Sequence, residues 1–549
     1  MGSSTPTQVP PQAGNCDCAT ESASASDNPA AEVAVTAVRG GANMYGAFSI
    51  ETFCDVGGLS LTHDDADGFL AYVRQFTAPN FWYQDAGVRV WAYYEQYDNW
   101  QDTYGMDAVC VAYHSGHGGM DGNGVFYVPM GSAWAGNDCT ATSNNMRLGN
   151  EHVRYIFWST CLSCRVLDGH SPIRTWQPAN LGFRMLFGYE TTSWDNPNYG
   201  RFFWEEWRKN KSFSQAWLDA SWRIAHDQAP SATACGSSAA DAQNRLYNER
   251  NFFSGAVSHD WWWWRWYYAA ASARPLLTEP PVSGLVAQLK PVSLSSSQFR
   301  TLAEKFELSV PEASASADGS YGAGSADQYL AFGANGSVDA KLAAVNYANR
   351  EPLASDNAVS IAQSAVGKFG LDDNGSLVLD RVLSSWDAGG TENGSGERIE
   401  PSVTSTTVQF RQVVNGIPII SQDSGALRVT VDNDGTVTNV HSSLQTVDAL
   451  SERARSMLPT PPLPSGANMH DIGPEPDSYE RALAVEFSRQ LSRWGASGNM
   501  PLSFSTVPNS TEIGYEVKRG TAILVARRAI EVDFGRGYRK RYWVTVPLA

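Results

Sequence analysis

Three short apolar runs, 108–113 (AVCVAY), 153–158 (VRYIFW) and 183–189 (FRMLFGY), constrain this chain more than any other feature. A strand with one wet face alternates apolar and polar residues, whereas a strand covered on both faces stays apolar throughout. Runs of this kind are therefore read as inner strands of a sheet with helices on each side. Residues 47–53 (AFSIETF) and 88–94 (VRVWAYY) read as further strands. Helical spacing appears at 64–76, through Phe69, Leu70, Val73 and Phe76, with acids in the first turn. It returns at 202–208 and at 214–226, through Ala216, Trp217, Ala220 and Ile224. The block 41–274 is thus expected to be an α/β domain with a mainly parallel sheet.

The rest of the chain reads differently. Residues 1–40 are polar and rich in Ser, Pro and Ala, and are expected to be a disordered tail. They hold no cationic start with an apolar centre, so no secretory signal is read there and the cytoplasm is slightly favoured. Residues 275–293 form a Pro-rich linker. Residues 294–549 read as an α+β region with antiparallel strands, including a β-meander over 403–443 punctuated by Asn415-Gly416 and Asp434-Gly435.

With 549 residues the chain has room for two to four domains, and 42% hydrophobic residues supply their cores. Lys and Arg total 40 against 57 acids, a formal charge of −17, so a nucleic-acid partner is not expected. The one dense basic run, 536–541 (RGYRKR), reads as a solvated turn. No run of about 18 apolar residues exists, so no membrane partner is expected. The WWWWRWYY segment at 261–268 reads as core or interface. Eight cysteines in a chain of this length do not make a disulfide scaffold; Cys54, Cys139 and Cys235 fall in loop-like contexts and Cys110 in a strand.

Chemistry concentrates where two of the apolar runs end. His114-Ser-Gly-His117-Gly118 leaves one, and Cys161, with Cys164 three residues on, leaves another. In a parallel sheet both C-terminal strand ends lie on one rim, where α/β sheets place their functional groups. A histidine within reach of a thiol can take its proton and make a nucleophile near neutral pH. The Gly118 and Cys161 amides could then polarise a scissile carbonyl. His114, Cys164 and Asp121 are auxiliary candidates, Asp121 as an orienter of His117 or simply a turn residue. Asp64, Asp65 and Asp67 are explained by helix-start electrostatics, with an acidic substrate pocket as the lesser reading. A different chemistry uses His114-x-x-His117 and Cys161-x-x-Cys164 as four zinc ligands, or the cysteines as a redox pair.

The Ser-Gly-His-Gly run after one strand and the cysteine after the next resemble the caspase-type cysteine peptidases, which include metacaspases, legumains and gingipains. The resemblance covers about 41–274 and implies a caspase-like α/β sandwich, with His117 as general base, Cys161 as nucleophile and Gly118 as an oxyanion donor. It implies a peptide or protein substrate and no cofactor. The chain departs from the family in Thr160, where many relatives have Ala, and in lacking the caspase Gln-Ala-Cys-Arg-Gly pentapeptide. Residues 407–443 resemble the propeptide module of thermolysin- and fungalysin-type metallopeptidases, although no His-Glu-x-x-His motif is present. That module implies an intramolecular inhibitory contact from the C-terminal half. The expected function is a cysteine-dependent peptidase or acyl transferase. The alternatives are a catalytically silent binding or regulatory protein on the same fold, and a zinc-stabilised domain.

Overall fold

The computed structural model describes residues 44–136, 138–268, 284–290, 293–309, 313, 315–316, 319–325, 327–372, 376–391, 398–453, 478–496, 501–518 and 520–548. The expected tail at 1–40 lies outside them. Two compact units emerge. The described residues of the first fall within Met1–Ala269, Trp386–Ser402 and Asp533–Lys540; those of the second fall within Ala270–Ser385, Val403–Val532 and Arg541–Ala549.

In the first unit the strands are β1 (Tyr45–Ser49), β2 (Phe81–Gln84), β3 (Val111–Ser115), β4 (Gly119–Met120), β5 (Phe126–Trp134), β6 (Asp138–Thr142), β7 (Tyr155–Ser159), β8 (Met185–Tyr189), β9 (Pro230–Gly236) and β10 (Trp261–Tyr267). The main sheet runs β10-β9-β8-β7-β3-β1-β2. From β2 to β8 the pairing is parallel, while β9 and β10 join antiparallel. The sheet is therefore mixed. The WWWWRWY run is its antiparallel strand β10, buried along nearly its whole length. Strands β4, β5 and β6 form a separate small antiparallel sheet.

Residues 88–94 are not the strand read from their sequence. They hold a 3-10 turn at Val90–Ala92, and the edge strand is Phe81–Gln84. Tertiary packing overrides the local pattern here, because Val90, Trp91 and Tyr93 are all buried in the turn.

Both faces of the parallel strands are covered, which is why their sequences need no polar alternation. In register, Tyr113 sits beside Phe157, and Phe157 beside Phe187. This row packs under the helices Thr62–Val73, Tyr199–Trp207 and Phe213–Trp222. Phe69 stacks on Tyr113 with ring centroids 4.4 Å apart, Phe203 meets Phe157 at 4.9 Å and Trp217 meets Phe157 at 5.8 Å. The opposite face carries Trp158, in contact with Tyr93, Phe126 and Trp176. Ser212 and Ser238 cap the helices at Phe213–Trp222 and Ala239–Asn248 by accepting backbone N–H bonds.

One polar tie crosses the helical face. The buried Asp65 carboxylate accepts from Tyr113 Oη at 2.9 Å, Ser115 Oγ at 2.7 Å and the Gly200 amide at 2.9 Å. It joins the end of β3 to two helices, so it is a structural anchor and not part of an acidic substrate pocket. Burial pushes its pKa up, against those hydrogen bonds.

The second unit is α+β. The remaining strands are β11 (Gly284–Leu289), β12 (Tyr321–Gly324), β13 (Tyr329–Phe332), β14 (Val338–Lys341), β15 (Ser376–Thr391), β16 (Arg398–Val414), β17 (Ile417–Pro418), β18 (Ala426–Asp432), β19 (Val437–Ser442), β20 (Val447–Arg453), β21 (Ser503–Thr506), β22 (Glu512–Lys518), β23 (Thr521–Asp533) and β24 (Arg539–Pro547); residues 386–391 of β15, 398–402 of β16, 533 of β23 and 539–540 of β24 belong to the first unit. The stretch read as a Pro-rich linker, 275–293, contains β11, which pairs with β20 and β23; residues 275–283 and 291–292 lie outside the described ones. The meander at 403–443 forms from β16, β18 and β19, antiparallel throughout. Helices Ser296–Lys305 and Ser355–Lys368 cover it through Phe299, Phe306, Ala362 and Val366, against Val408, Phe410 and Val429.

Asp65→Ala leaves a buried hydroxyl pair and an amide without their acceptor. The expected loss is roughly 3 kcal/mol of stability, read as a lowered urea midpoint with unchanged m-value.

Candidate functional site

Strands β3 and β7 pair in parallel with Ser115 opposite Ser159. His117 and Cys161 each come two residues later, so the two lie at the same height on one rim of the sheet. The chains stay close past the strand ends, where the Gly116 amide faces the Ser159 carbonyl at 3.5 Å. Leu162, immediately after the cysteine, sits at φ 59°, a left-handed conformation that costs a leucine about 1 kcal/mol. This tight turn presents the cysteine at the strand end. Gly118 rests on it: a Cβ there would stand 2.7 Å from the Cys161 carbonyl oxygen and 2.9 Å from Thr160 Cβ.

The segment after β8 closes over the cysteine. Leu162 donates to the Thr191 carbonyl, and Cys164 donates its amide to the Tyr189 carbonyl. The Ser193 amide then donates to Cys161 Sγ at 3.2 Å, and the Ser193 hydroxyl lies 3.4 Å from the same sulfur. Sequence reasoning missed Ser193. The signal was available, since this serine lies just past the end of the third neighbouring strand on the same rim.

The His117 ring is fully buried beside Phe53. Its Nε2 lies 3.0 Å from the Gly57 carbonyl oxygen. A carbonyl can only accept, so Nε2 carries the proton of the neutral ring and Nδ1 carries the lone pair. Nδ1 has no hydrogen-bond partner among the described residues. Burial, with a smaller contribution from the Lys540 ammonium, pushes the His117 pKa down to about 3. The ring is thus neutral at ordinary pH, oriented through one nitrogen, with a basic nitrogen unused. It makes no hydrogen bond to Cys161.

The remaining candidates do other work. His114 lies on β3 inside the sheet, bonded through Nδ1 to Tyr93 Oη at 2.8 Å and packed on Trp158. Its pKa also falls to about 3, by burial first and by Lys540 second. Cys164 is buried, its pKa pushed up to about 12 by burial. Asp121 accepts the amides of Asn123 and Val125, both at 2.9 Å, and is a turn residue. Among the described residues, no three His, Cys, Asp or Glu side chains come together as metal ligands. The four-ligand zinc arrangement is therefore not formed: alternation along a strand sends His114 into the sheet while His117 leaves it. Cys161 and Cys164 are buried free thiols. Cys54 and Cys139, read as loop residues, form a disulfide.

Residues Asp533–Lys540 fill the rim. They belong to the same unit and form a tight turn, with Arg536 and its two glycine neighbours at positive φ and Phe534 donating to the Tyr538 carbonyl. Phe534 and Tyr538 pack on the His117 ring at 4.8 and 5.6 Å. Cys161 Sγ donates to the Arg539 carbonyl oxygen at 3.0 Å, and Lys540 Nζ donates to Ser193 Oγ at 3.0 Å. Lys540 is 2% exposed. The RGYRKR run is consequently not a solvated turn: Arg536 reaches solvent, but Lys540 ends beside the candidate nucleophile. Charge density along the sequence carries no sign of that burial.

Residues 43–267 match a family model described as Domain of unknown function (DUF6345). No curated protein matches the chain. Among solved structures, the chain is similar to the Arg-specific cysteine proteinase gingipain R, at 10% identity and a TM-score of 0.22, over 74% of this chain and 67% of that one.

The two depressed histidines fix a pH dependence. Unfolded histidine binds its proton near pH 6.5, about three units above these folded sites. Between pH 3 and 6.5 the unfolded chain holds more protons, so the histidine contribution is complete above about 6.5 and is lost as pH falls toward 3. In chemical denaturation across that window, His114→Gln should flatten the acid-side slope of stability relative to wild type by up to one proton. Gly118→Ala should also lower the denaturation midpoint, because its methyl meets the Cys161 carbonyl oxygen and the Thr160 side chain at under 3 Å.

Proposed function

We propose that the first unit is a caspase-like cysteine peptidase or acyl transferase acting on peptide bonds, with Cys161 as nucleophile and His117 as base. The reading is carried by one arrangement: a thiol and a neutral, carbonyl-oriented imidazole, each two residues past register-matched parallel strands. In this reading His117 Nδ1 takes the Cys161 thiol proton while Gly57 holds Nε2–H. The thiolate, whose sulfur lies 3.2 Å from the Ser193 amide, attacks the carbonyl carbon of the substrate. The oxyanion is received by the Gly118 and Cys161 amides. His117 returns its proton to the departing amine, leaving a thioester on Cys161. Water then gives hydrolysis, and an amine gives transpeptidation.

Asp533–Lys540 is the inhibitory element in this reading. It blocks the thiol with the Arg539 carbonyl and covers the base with Phe534 and Tyr538. Lys540 adds an electrostatic effect, since a buried ammonium opposes the imidazolium that proton transfer must form. A second reading, a catalytically silent protein on the same fold, is favoured by the missing His117–Cys161 hydrogen bond and the occupied rim.

A peptidyl electrophile should label Cys161 selectively. His117→Ala should slow that labelling by at least a hundredfold, whereas Lys540→Ala should accelerate it about tenfold, both read by mass spectrometry. Equal labelling in wild type and His117→Ala removes the catalytic reading and leaves the silent one.

A further inference from the structure

The Cys54–Cys139 disulfide lies across the cradle that holds the inhibitory turn. One wall of the cradle is the segment 51–59. Asp55, next to Cys54, pairs with Arg536, and Phe53 packs on His117. The other wall is the β5–β6 hairpin. Tyr127 packs on Tyr538 at 5.3 Å and donates to the Arg536 carbonyl at 3.4 Å. The disulfide is therefore a covalent brace between the two walls, each of which grips the same eight residues. It joins positions 85 residues apart, with Cys54 exposed at the surface.

We infer that Cys54–Cys139 is a thiol–disulfide exchange site whose reduction releases Asp533–Lys540 from Cys161. The reactant is a dithiol, as a small molecule or on a protein. A thiolate of the dithiol bonds to the exposed Cys54 sulfur, the Cys54–Cys139 bond breaks, and Cys139 leaves as a thiolate that takes up a proton. The second thiol then attacks its own partner sulfur in the mixed disulfide, and Cys54 leaves as a thiol. Two electrons pass to the protein, and the dithiol departs as a disulfide.

The contacts that survive reduction make the release specific. The base of segment 51–59 remains clasped by the Leu59 amide on the Glu51 carbonyl at 3.0 Å. The Asp85 carboxylate, paired with His63, also holds the Glu51 and Thr52 amides, both at 2.8 Å. Gly57, two residues from Leu59, lies on this clasped side and keeps its hold on His117. Cys54 and Asp55 lie toward the far end, which the Cys54 amide ties to the Met130 carbonyl. Without the brace, the solvent-facing Asp55–Arg536 pair contributes little, about 0–1 kcal/mol by itself.

This inference rests on the proposed site for what it releases, but its test needs no catalysis. Full-length protein is reduced with dithiothreitol, desalted without air and pulsed with iodoacetamide, and alkylation is mapped by mass spectrometry. Reduction of Cys54–Cys139 should accelerate labelling of Cys161 at least tenfold, leave the buried Cys110, Cys164 and Cys235 unchanged, and reverse on reoxidation. A Cys54→Ser/Cys139→Ser chain should label fast without reductant; where that variant fails to fold, reduced wild type decides. An unchanged Cys161 rate after confirmed reduction overturns the inference, as does parallel acceleration at the other three thiols, which marks general unfolding. Fast Cys161 labelling without peptide hydrolysis upholds the exchange site and counts against the peptidase.

Discussion

The parallel register between β3 and β7 is the constraint on which the candidate site depends. Ser115 opposite Ser159 brings the two adjoining loops to one rim at one height. A slip of one residue would exchange the faces of β3, sending Tyr113 away from the helices and His114 toward them. Aromatic packing on both faces opposes that slip, since Tyr113, Phe157 and Phe187 form one row and Trp158 anchors the other side. Asp65 adds a directional restraint by binding hydroxyls from two residues on one face of β3. A hydrophobic sandwich and a single buried carboxylate thus hold the strand ends that a catalytic pair would require.

The rim is built and then filled. Its polar parts are mutually consistent: Gly57 orients an imidazole, Gly118 fits against the cysteine turn, and Ser193 points an amide at sulfur. The same parts receive the turn at Asp533–Lys540, so one set of contacts would serve both activity and its restraint. The buried ammonium of Lys540 matters in this respect. Burying a lysine costs free energy unless it is paired, and here its neighbours include two neutral histidines and a serine hydroxyl.

Much of the first unit was legible because its signals are local. Inner parallel strands announce themselves as short apolar runs, and the helix at Thr62–Val73 by spacing and early acids. His117 and Cys161 stood out because they are reactive side chains placed just past such strands. Residues 88–94 misled because a buried turn and a buried strand can share an apolar sequence. Ser193 was within reach of the same logic, applied to the loop that leaves the third strand of the row. Gly57 was not, because its contribution is a backbone carbonyl and any residue supplies one.

The amino-acid sequence by itself determined the mixed α/β character, the inner strands and the two reactive residues at their ends, since these come from periodicity and covalent position. Only the tertiary structure decided that Cys54 joins Cys139, that the four soft side chains do not converge on a metal, and that a basic turn distant in the chain fills the rim. The reason is physical. Hydrophobic periodicity is written into neighbouring residues, whereas the pairing of distant loops depends on where the packed core carries each chain segment.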